Sequence, residues 1–189
     1  MYLGPARRLP ATSRPAAVGP DAATGRIFKA ATVLHRYMED AGIYARESPY
    51  LERYARLGIA SGRVVDVSFP DAPADDAAEA HDLLDRVFDY LGGAADDFAD
   101  VGIALTVPTD QRTVLETVRD LPYGEQITVE AVARMTPGLS GNEADDQRTV
   151  RTALAENPAP LLIPDHRVRD GPSAAPPPVE RRLRSLEGL

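Results

Sequence analysis

The stretch LLIPDHRV at residues 161–168 decides how the rest of the chain is interpreted. Three large aliphatic residues lead into a proline, and three ionisable residues follow at once: Asp165, His166 and Arg167. Burying a carboxylate is costly unless hydrogen bonds replace the water that it loses. The stretch therefore indicates a polar site beside a short apolar run, in which Asp165 needs hydrogen-bond donors.

Helical patterns flank this stretch on both sides. Upstream, the apolar spacing predicts a helix that Thr109 or Asp110 caps, a short helix at residues 128–135 and a third helix at residues 145–156. Downstream, a last short helix is predicted at residues 179–186. Three helices, a short apolar strand at residues 161–163 and a terminal helix resemble a winged-helix arrangement. We place this domain at residues 108–189.

The N-terminal part has the pattern of an α/β domain at residues 25–107, preceded by a proline-rich arm at residues 1–24 that is expected to be disordered. Within the domain, periodicity predicts a helix at residues 26–41 and a second helix at residues 75–91. The runs 50–60 and 63–69 flank Ser61-Gly62 and predict a β-hairpin. Residues 101–107 are expected to form a strand.

The composition narrows the class of protein. Hydrophobic residues make up 43% of the 189 residues, as in a globular core, and cysteine is absent. The lack of cysteine excludes disulfides, thiolate metal sites and a cysteine nucleophile within this sequence. Three scattered histidines form no zinc pattern, so neither a metal nor a cofactor is expected. No apolar run approaches the roughly 18 residues that cross a bilayer, so the expected location is the cytoplasm, without membrane contact.

The charge is acidic and uneven. The net charge is −8, Lys29 is the only lysine, and residues 66–100 hold eleven acidic residues against one basic residue. Many aspartates together with arginine in place of lysine suggest a protein adapted to high salt, a halophilic pattern. At molar salt the Debye length is about 3 Å, so the acidity does not exclude a polyanionic partner.

Residues 164–168 resemble the Pro-Cys-His-Arg-Val active-site motif of the O6-alkylguanine-DNA alkyltransferases, with Asp165 where the alkyl-accepting cysteine stands. Further motifs occur in the order of that family: PYGE at 122–125, RTV at 148–150, NP at 157–158 and EG at 187–188. The resemblance covers residues 109–189 and is weaker before them. It implies an α/β (α+β) fold, with a ribonuclease-H-like N-terminal domain followed by a winged-helix alkyltransferase domain.

The resemblance also implies roles on DNA. Arg148 would replace an extruded base in the stack, and Tyr123 would push the phosphate that rotates the nucleotide out. The other DNA-contacting positions that it implies are Asn157, Pro164, Arg167 and Val168. The residues themselves leave a second interpretation open, in which Arg148 is a solvated helix residue paired with Asp145 and Tyr123 is a core aromatic with its hydroxyl at the surface.

The chemistry departs from the family at Asp165. A carboxylate is a far weaker nucleophile than a thiolate toward an alkyl carbon, and it would form a labile methyl ester. No catalytic residue is therefore expected, and His166 and Glu187 would persist as the scaffold of a degenerate site. Asp165 would either accept N–H groups of an extruded base or accept backbone N–H groups of its own turn. The proline-rich loop at 171–178 lacks the tyrosine that the family carries there.

The predicted function is that of an alkyltransferase-like protein, which is not expected to be an enzyme. A monomer would bind double-stranded DNA that carries a modified or flippable base, and would mark it for other repair proteins without transferring the methyl group. Two alternatives stay open. One is a diverged enzyme in which Asp165 and His166 activate water on a base. The other is a winged-helix DNA-binding or scaffold protein that flips no base.

Overall fold

A three-stranded antiparallel sheet lies at the start of the part of the chain that the structure, a computed structural model, describes: residues 41–189. Strands β1 (Gly42–Ser48), β2 (Arg53–Ala60) and β3 (Arg63–Ser68) pair in the order β1-β2-β3. The predicted arm at 1–24 and nearly all of the predicted helix at 26–41 lie outside the described residues. β1 is absent from the predicted elements, because only Ala45 and Ser48 of its seven residues are buried.

The predicted hairpin is confirmed as β2 and β3. Ser61 and Gly62 both have positive φ, 50° and 68°, the backbone that a two-residue hairpin turn requires. The predicted strand at 101–107 is wrong. Its pairing with β3 is confined to one bridge between Val64 and Ile103, flanked by hydrogen bonds of 2.8 and 2.9 Å to Val64.

Helix α1 (Asp82–Leu91) packs its apolar side against the sheet core. It begins seven residues later than the predicted start at residue 75, because His81 caps it: Nδ1 of His81 accepts a 3.1 Å hydrogen bond from the Leu83 backbone N–H. An N-cap residue has extended backbone, so the helix does not continue before it. The acidic stretch ahead of residue 81 is therefore a connection, tied to the sheet where Arg46 donates to the Glu79 carbonyl.

Three helices follow, and their predicted positions are confirmed within one or two residues. They are α2 (Thr109–Arg119), α3 (Val129–Met135) and α4 (Ala144–Ala155). The hydroxyl of Thr128 caps α3 by accepting from the Ala131 N–H at 3.1 Å. The helices share one core, whose fully buried side chains include Val114, Leu115, Val118, Val132, Val150 and Leu154.

Residues 161–168, the stretch LLIPDHRV, form turns and no strand. The predicted strand at 161–163 is wrong: Leu161 has a φ of 84°, and Pro160 and Ile163 form a local bridge. Asp165–Arg167 form a single 3-10 turn. Helix α5 (Pro177–Glu187) then closes the described chain and ends at Gly188 in the left-handed conformation, a common helix C-cap.

Within residues 41–189, no helix is long and apolar enough to cross a membrane.

Candidate functional site

Asp165 is the centre of the site and is completely buried. Its Oδ2 accepts hydrogen bonds from Nδ2 of Asn157 at 2.9 Å and from the backbone N–H of Ala174 at 3.1 Å. Its Oδ1 lies 2.7 Å from the hydroxyl of Ser173. Both carboxyl oxygens are therefore bound by the protein itself, partly by the backbone.

The surroundings of Asp165 favour its neutral form. Burial raises the pKa of this carboxyl group, and the hydrogen bonds from Ser173, Ala174 and Asn157 only partly oppose that effect. A protonated Oδ1 would donate to the Ser173 hydroxyl, whose oxygen also accepts the Ala175 N–H at 3.1 Å. A group in this state is a poor nucleophile, because its lone pairs and its proton are already engaged.

A second buried carboxylate, Glu187, lies at the end of α5. Its partners come from three separate parts of the chain: Nε2 of His166 at 3.1 Å and Nε and Nη2 of Arg167 at 2.8 and 2.7 Å in the 3-10 turn, the backbone N–H of Gly124 at 3.0 Å, and the hydroxyl of Tyr90 in a short hydrogen bond. Arg167 also donates to the Leu121 carbonyl. This network, which we call the Glu187 cluster, joins α1, the turn at 122–125 and the 3-10 turn to α5.

Hydrogen bonding decides the charge of Glu187. Burial alone would raise its pKa, but the hydrogen bonds from His166, Arg167, Tyr90 and Gly124 outweigh burial and hold the pKa well below the ordinary range. Glu187 is therefore ionised near neutral pH, and Nε2 of His166 carries the proton that it donates. Nδ1 of His166 is buried and has no hydrogen-bond partner among residues 41–189.

The structure brings together most of the residues predicted for the site. Those that it buries around Asp165 and Glu187 are Asn157, Pro164, His166, Arg167 and Val168. Asp165 and His166 face different partners: Asp165 faces the loop after the 3-10 turn, and His166 faces Glu187. No hydrogen bond joins them among the contacts within the described chain, and no group of three or more His, Cys, Asp or Glu residues there could hold a metal ion.

Arg148 and Tyr123 lie in different settings. Arg148 is on the outer face of α4 with 74% of its side chain exposed, and it pairs with Asp145 at 2.7 Å. Tyr123 is half-buried; its hydroxyl donates to the Leu186 carbonyl at 3.3 Å and its ring packs edge-on against Tyr90. The contacts of Tyr123 thus fix the C-terminal helix, whereas Arg148 is accessible to a partner.

The sequence reasoning missed two members of the site. Ser173 lies in a proline-rich loop without periodicity, and its one signal was a hydroxyl among residues whose side chains cannot donate. Tyr90 is 97 positions from Glu187 in the chain and had no signal beyond its place on the apolar side of α1. Both supply hydrogen bonds to a buried carboxyl group, which the motif alone could not locate.

Residues 109–175 match the family described as "6-O-methylguanine DNA methyltransferase, DNA binding domain". The methylated-DNA–protein-cysteine methyltransferase of Methanopyrus kandleri is 33% identical over 120 residues, which are 61% of this chain and 86% of that protein. The protein of the same name from Metallosphaera sedula is 34% identical over 110 residues, 56% of this chain and 66% of its own length. The chain therefore belongs to the methylated-DNA–protein-cysteine methyltransferase family, which confirms the resemblance.

Solved structures support the same fold. The O6-methylguanine methyltransferase of Mycobacterium tuberculosis superposes with a TM-score of 0.62 at 21% identity, over 78% of this chain and 92% of that one. The O6-methylguanine-DNA methyltransferase of Pyrococcus kodakaraensis gives 0.61 at 21% identity, over 78% of this chain and all of that one. A structure of the M. tuberculosis protein in complex with DNA matches equally well, with a TM-score of 0.62.

We expect Glu187→Gln to destabilise the protein by about 3–5 kcal/mol, because it leaves the buried Arg167 without its counter-ion. Urea unfolding at pH 7 measures the loss. The matched control is Glu130→Gln, which removes an exposed ion pair with Arg134 on α3 and should cost about 0.5 kcal/mol or less.

The same carboxylate gives a pH signature. Its pKa is lowered in the folded state, so its contribution is complete above the unfolded-state value of about 4.3 and is lost progressively as the pH falls below it. The Glu187→Gln variant should lack this part of the acid destabilisation. Equal stability of the Glu187→Gln and Glu130→Gln variants at pH 7 would contradict the stabilising role of the Glu187 cluster.

Proposed function

We propose that this chain binds duplex DNA through residues 109–175 and recognises an alkylated or otherwise flippable base for repair, without transferring the alkyl group to itself. The observation that carries the proposal is Asp165: the position that resembles the family's acceptor holds a buried carboxyl group with both oxygens hydrogen-bonded. Membership of the family supports the DNA-binding part, and the chemistry of Asp165 supports the loss of transfer.

The arrangement of α2, α3 and α4 is compatible with the winged-helix domain expected from the sequence, and we assign the small sheet with α1 to the expected ribonuclease-H-like domain. In this proposal α4 faces the DNA. Its outer face carries Arg148 and Arg151, which are both exposed. The partners are double-stranded DNA and other repair proteins, and the chain acts as a monomer in the cytoplasm.

Loss of transfer follows from two steps that a carboxyl group performs badly. The acceptor must attack the alkyl carbon, and a neutral or hydrogen-bonded carboxyl group is a weak nucleophile. The product must also be stable, and a methyl ester hydrolyses whereas a thioether does not. The 189 residues hold no cysteine that could take over either step.

Arg148 is the residue that we propose to contact the base stack. It is exposed on α4, and the ion pair with Asp145 is a surface pair that contributes little and is released easily. Asn157, Pro164, Arg167 and Val168 are buried and contribute by shaping the site beneath the DNA. Tyr123 positions the turn at 122–125 against α5.

A methyl-labelling experiment tests the loss of transfer. Duplex DNA carrying O6-[³H-methyl]guanine is incubated with this chain and, separately, with the M. kandleri relative, 33% identical, as the positive control. We expect stable label on the relative and none on this chain, with rapid acid quenching and mass spectrometry used to detect a labile ester. Stoichiometric methyl on this chain, on Asp165 or elsewhere, would contradict the proposal.

A binding experiment tests Arg148. Arg148→Ala should weaken binding to a duplex that carries O6-methylguanine by about 1–2 kcal/mol, roughly 5- to 30-fold, and should weaken single-strand binding less. The matched control is Arg134→Ala, an exposed arginine on α3 that also pairs within its own helix. Titrations at low and molar salt follow the anisotropy of labelled DNA. Equal losses for both variants on both DNAs would make Arg148 an ordinary solvated residue.

A further inference from the structure

The loop that follows the 3-10 turn covers Asp165. We call residues 171–176 the covering loop. Ser173 and Ala174 of this loop are partly exposed, whereas Asp165 beneath them is completely buried. The two loop residues supply two of the three hydrogen bonds to the Asp165 carboxyl group. The carboxyl group of Asp165 therefore holds in place the same loop that shields it from solvent.

We propose that Asp165 is a latch: its carboxyl group holds the covering loop over the acceptor site, and an extruded base enters only when Ser173 and Ala174 leave that carboxyl group. The inference rests on the proposed function, because it takes a base in duplex DNA as the ligand. To that function the proposal adds a role for Asp165, which controls whether such a base enters the site.

The two ends of the covering loop are fixed, so the moving part is short. At Gly171 an added Cβ would lie 2.6 Å from Cδ1 of Leu154 and 3.2 Å from side-chain atoms of Val129 and Val168, so this glycine is packed on the helical core. At the other end Ala175 is buried, and three prolines lead into α5. Opening the site therefore displaces residues 172–174 and little else.

The fixed side of the latch is Asn157. Its Nδ2 donates both to Oδ2 of Asp165 and to the Ile163 carbonyl at 2.9 Å, and its Oδ1 accepts the Ala159 N–H at 3.0 Å. These bonds hold Asp165 against the core whether the covering loop is open or closed. Only the bonds to Ser173 and Ala174 must break for entry.

The geometry distinguishes three substitutions. Asp165→Asn preserves the latch, because an asparagine oxygen accepts from Asn157 and Ala174 while its amide donates to the Ser173 hydroxyl. Asp165→Ala removes all three bonds. Ser173→Ala removes one hydrogen bond on the loop side and leaves Asp165 bound to Asn157. This variant replaces Asp165→Ala in the test if Asp165→Ala does not fold. Ser185→Ala, an exposed serine on α5, is the matched control.

The first measurement needs no DNA. Amide hydrogen exchange of the full chain should show the Ala174 N–H protected in the parent, in Asp165→Asn and in Ser185→Ala. Exchange should be at least about tenfold faster in Asp165→Ala and faster by a smaller factor in Ser173→Ala. If Asp165→Ala folds and exchange at Ala174 is unchanged in it, the latch is overturned. If Asp165→Ala does not fold, unchanged exchange at Ala174 in Ser173→Ala overturns the latch.

The second measurement asks whether a base is the ligand. The ratio of affinities for an O6-methylguanine duplex and the same unmodified duplex should rise about three- to tenfold in Ser173→Ala and Asp165→Ala, and stay at the parent value in Asp165→Asn and Ser185→Ala. A flat ratio with intact duplex binding would overturn the admission of a base. If no variant binds any duplex while the exchange changes appear, the proposed function fails and the latch on the covering loop stands.

Discussion

Two buried carboxyl groups meet at one 3-10 turn: Asp165 begins the turn and takes its hydrogen bonds from residues within nine positions of it, whereas Glu187 takes its hydrogen bonds from distant parts of the chain. An unsatisfied buried carboxyl group would cost more than most side-chain contacts return. Glu187 is satisfied by an arginine, a histidine, a phenol and a backbone N–H, and it stays ionised. Asp165 is satisfied by an amide, a hydroxyl and a backbone N–H, and its burial favours the neutral form. Because of this requirement, α1 and the turn at 122–125 meet α5 at Glu187, and the covering loop lies over Asp165.

Local signals were sufficient for much of the fold. The two runs that flank Ser61-Gly62, of which the second is β-branched and partly alternating, predicted the hairpin. Apolar spacing predicted the C-terminal helices to within two residues, but the predicted cap of α2 is wrong, because the helix begins at Thr109 after Pro108 and no side chain caps it. The failures have two causes, a local helix cap that apolar spacing does not reveal and a long-range backbone pairing. The start of α1 is set by the His81 cap, and the short pairing of Ile103 with β3 has no local signature.

The site was predictable in its members but not in its arrangement. The ordered motifs pointed to Asp165, His166, Asn157 and Glu187, and these do lie together. Their partners Tyr90 and Ser173 come from a helix of the N-terminal part and from a loop without periodicity. Two interpretations were open for Asp165, and its partners match neither in full: it accepts one backbone N–H, that of Ala174 in the covering loop, and its other partners are the Asn157 amide and the Ser173 hydroxyl. Residues on a 3-10 turn do not alternate as strand residues do, so the directions of Asp165 and His166 needed the structure.

The family to which the chain belongs and the burial of Asp165 beneath the covering loop together raise one question, namely what a member of this family does without a cysteine. Residues 109–175 match the DNA-binding domain of a family whose relatives are named methylated-DNA–protein-cysteine methyltransferase, yet this sequence holds no cysteine. In our proposal, Asp165 and its partners form a polar junction at the former acceptor position, which stabilises the fold and holds a short loop in place. Arg148 on the outer face of α4 makes its ion pair with Asp145 and not with that junction, so the proposed DNA contact and the proposed access to the site can be tested separately.

The titration of Asp165 tests this account most directly, since every step depends on a buried and internally bound carboxyl group at that position. The ¹³C resonance of its carboxyl carbon, assigned by its absence in Asp165→Asn, can be followed by NMR as the pH is changed. The account predicts a transition clearly above the ordinary aspartate pKa of about 3.9. A transition at or below that value would contradict it, because it would show a carboxylate that is solvated or paired with a cation.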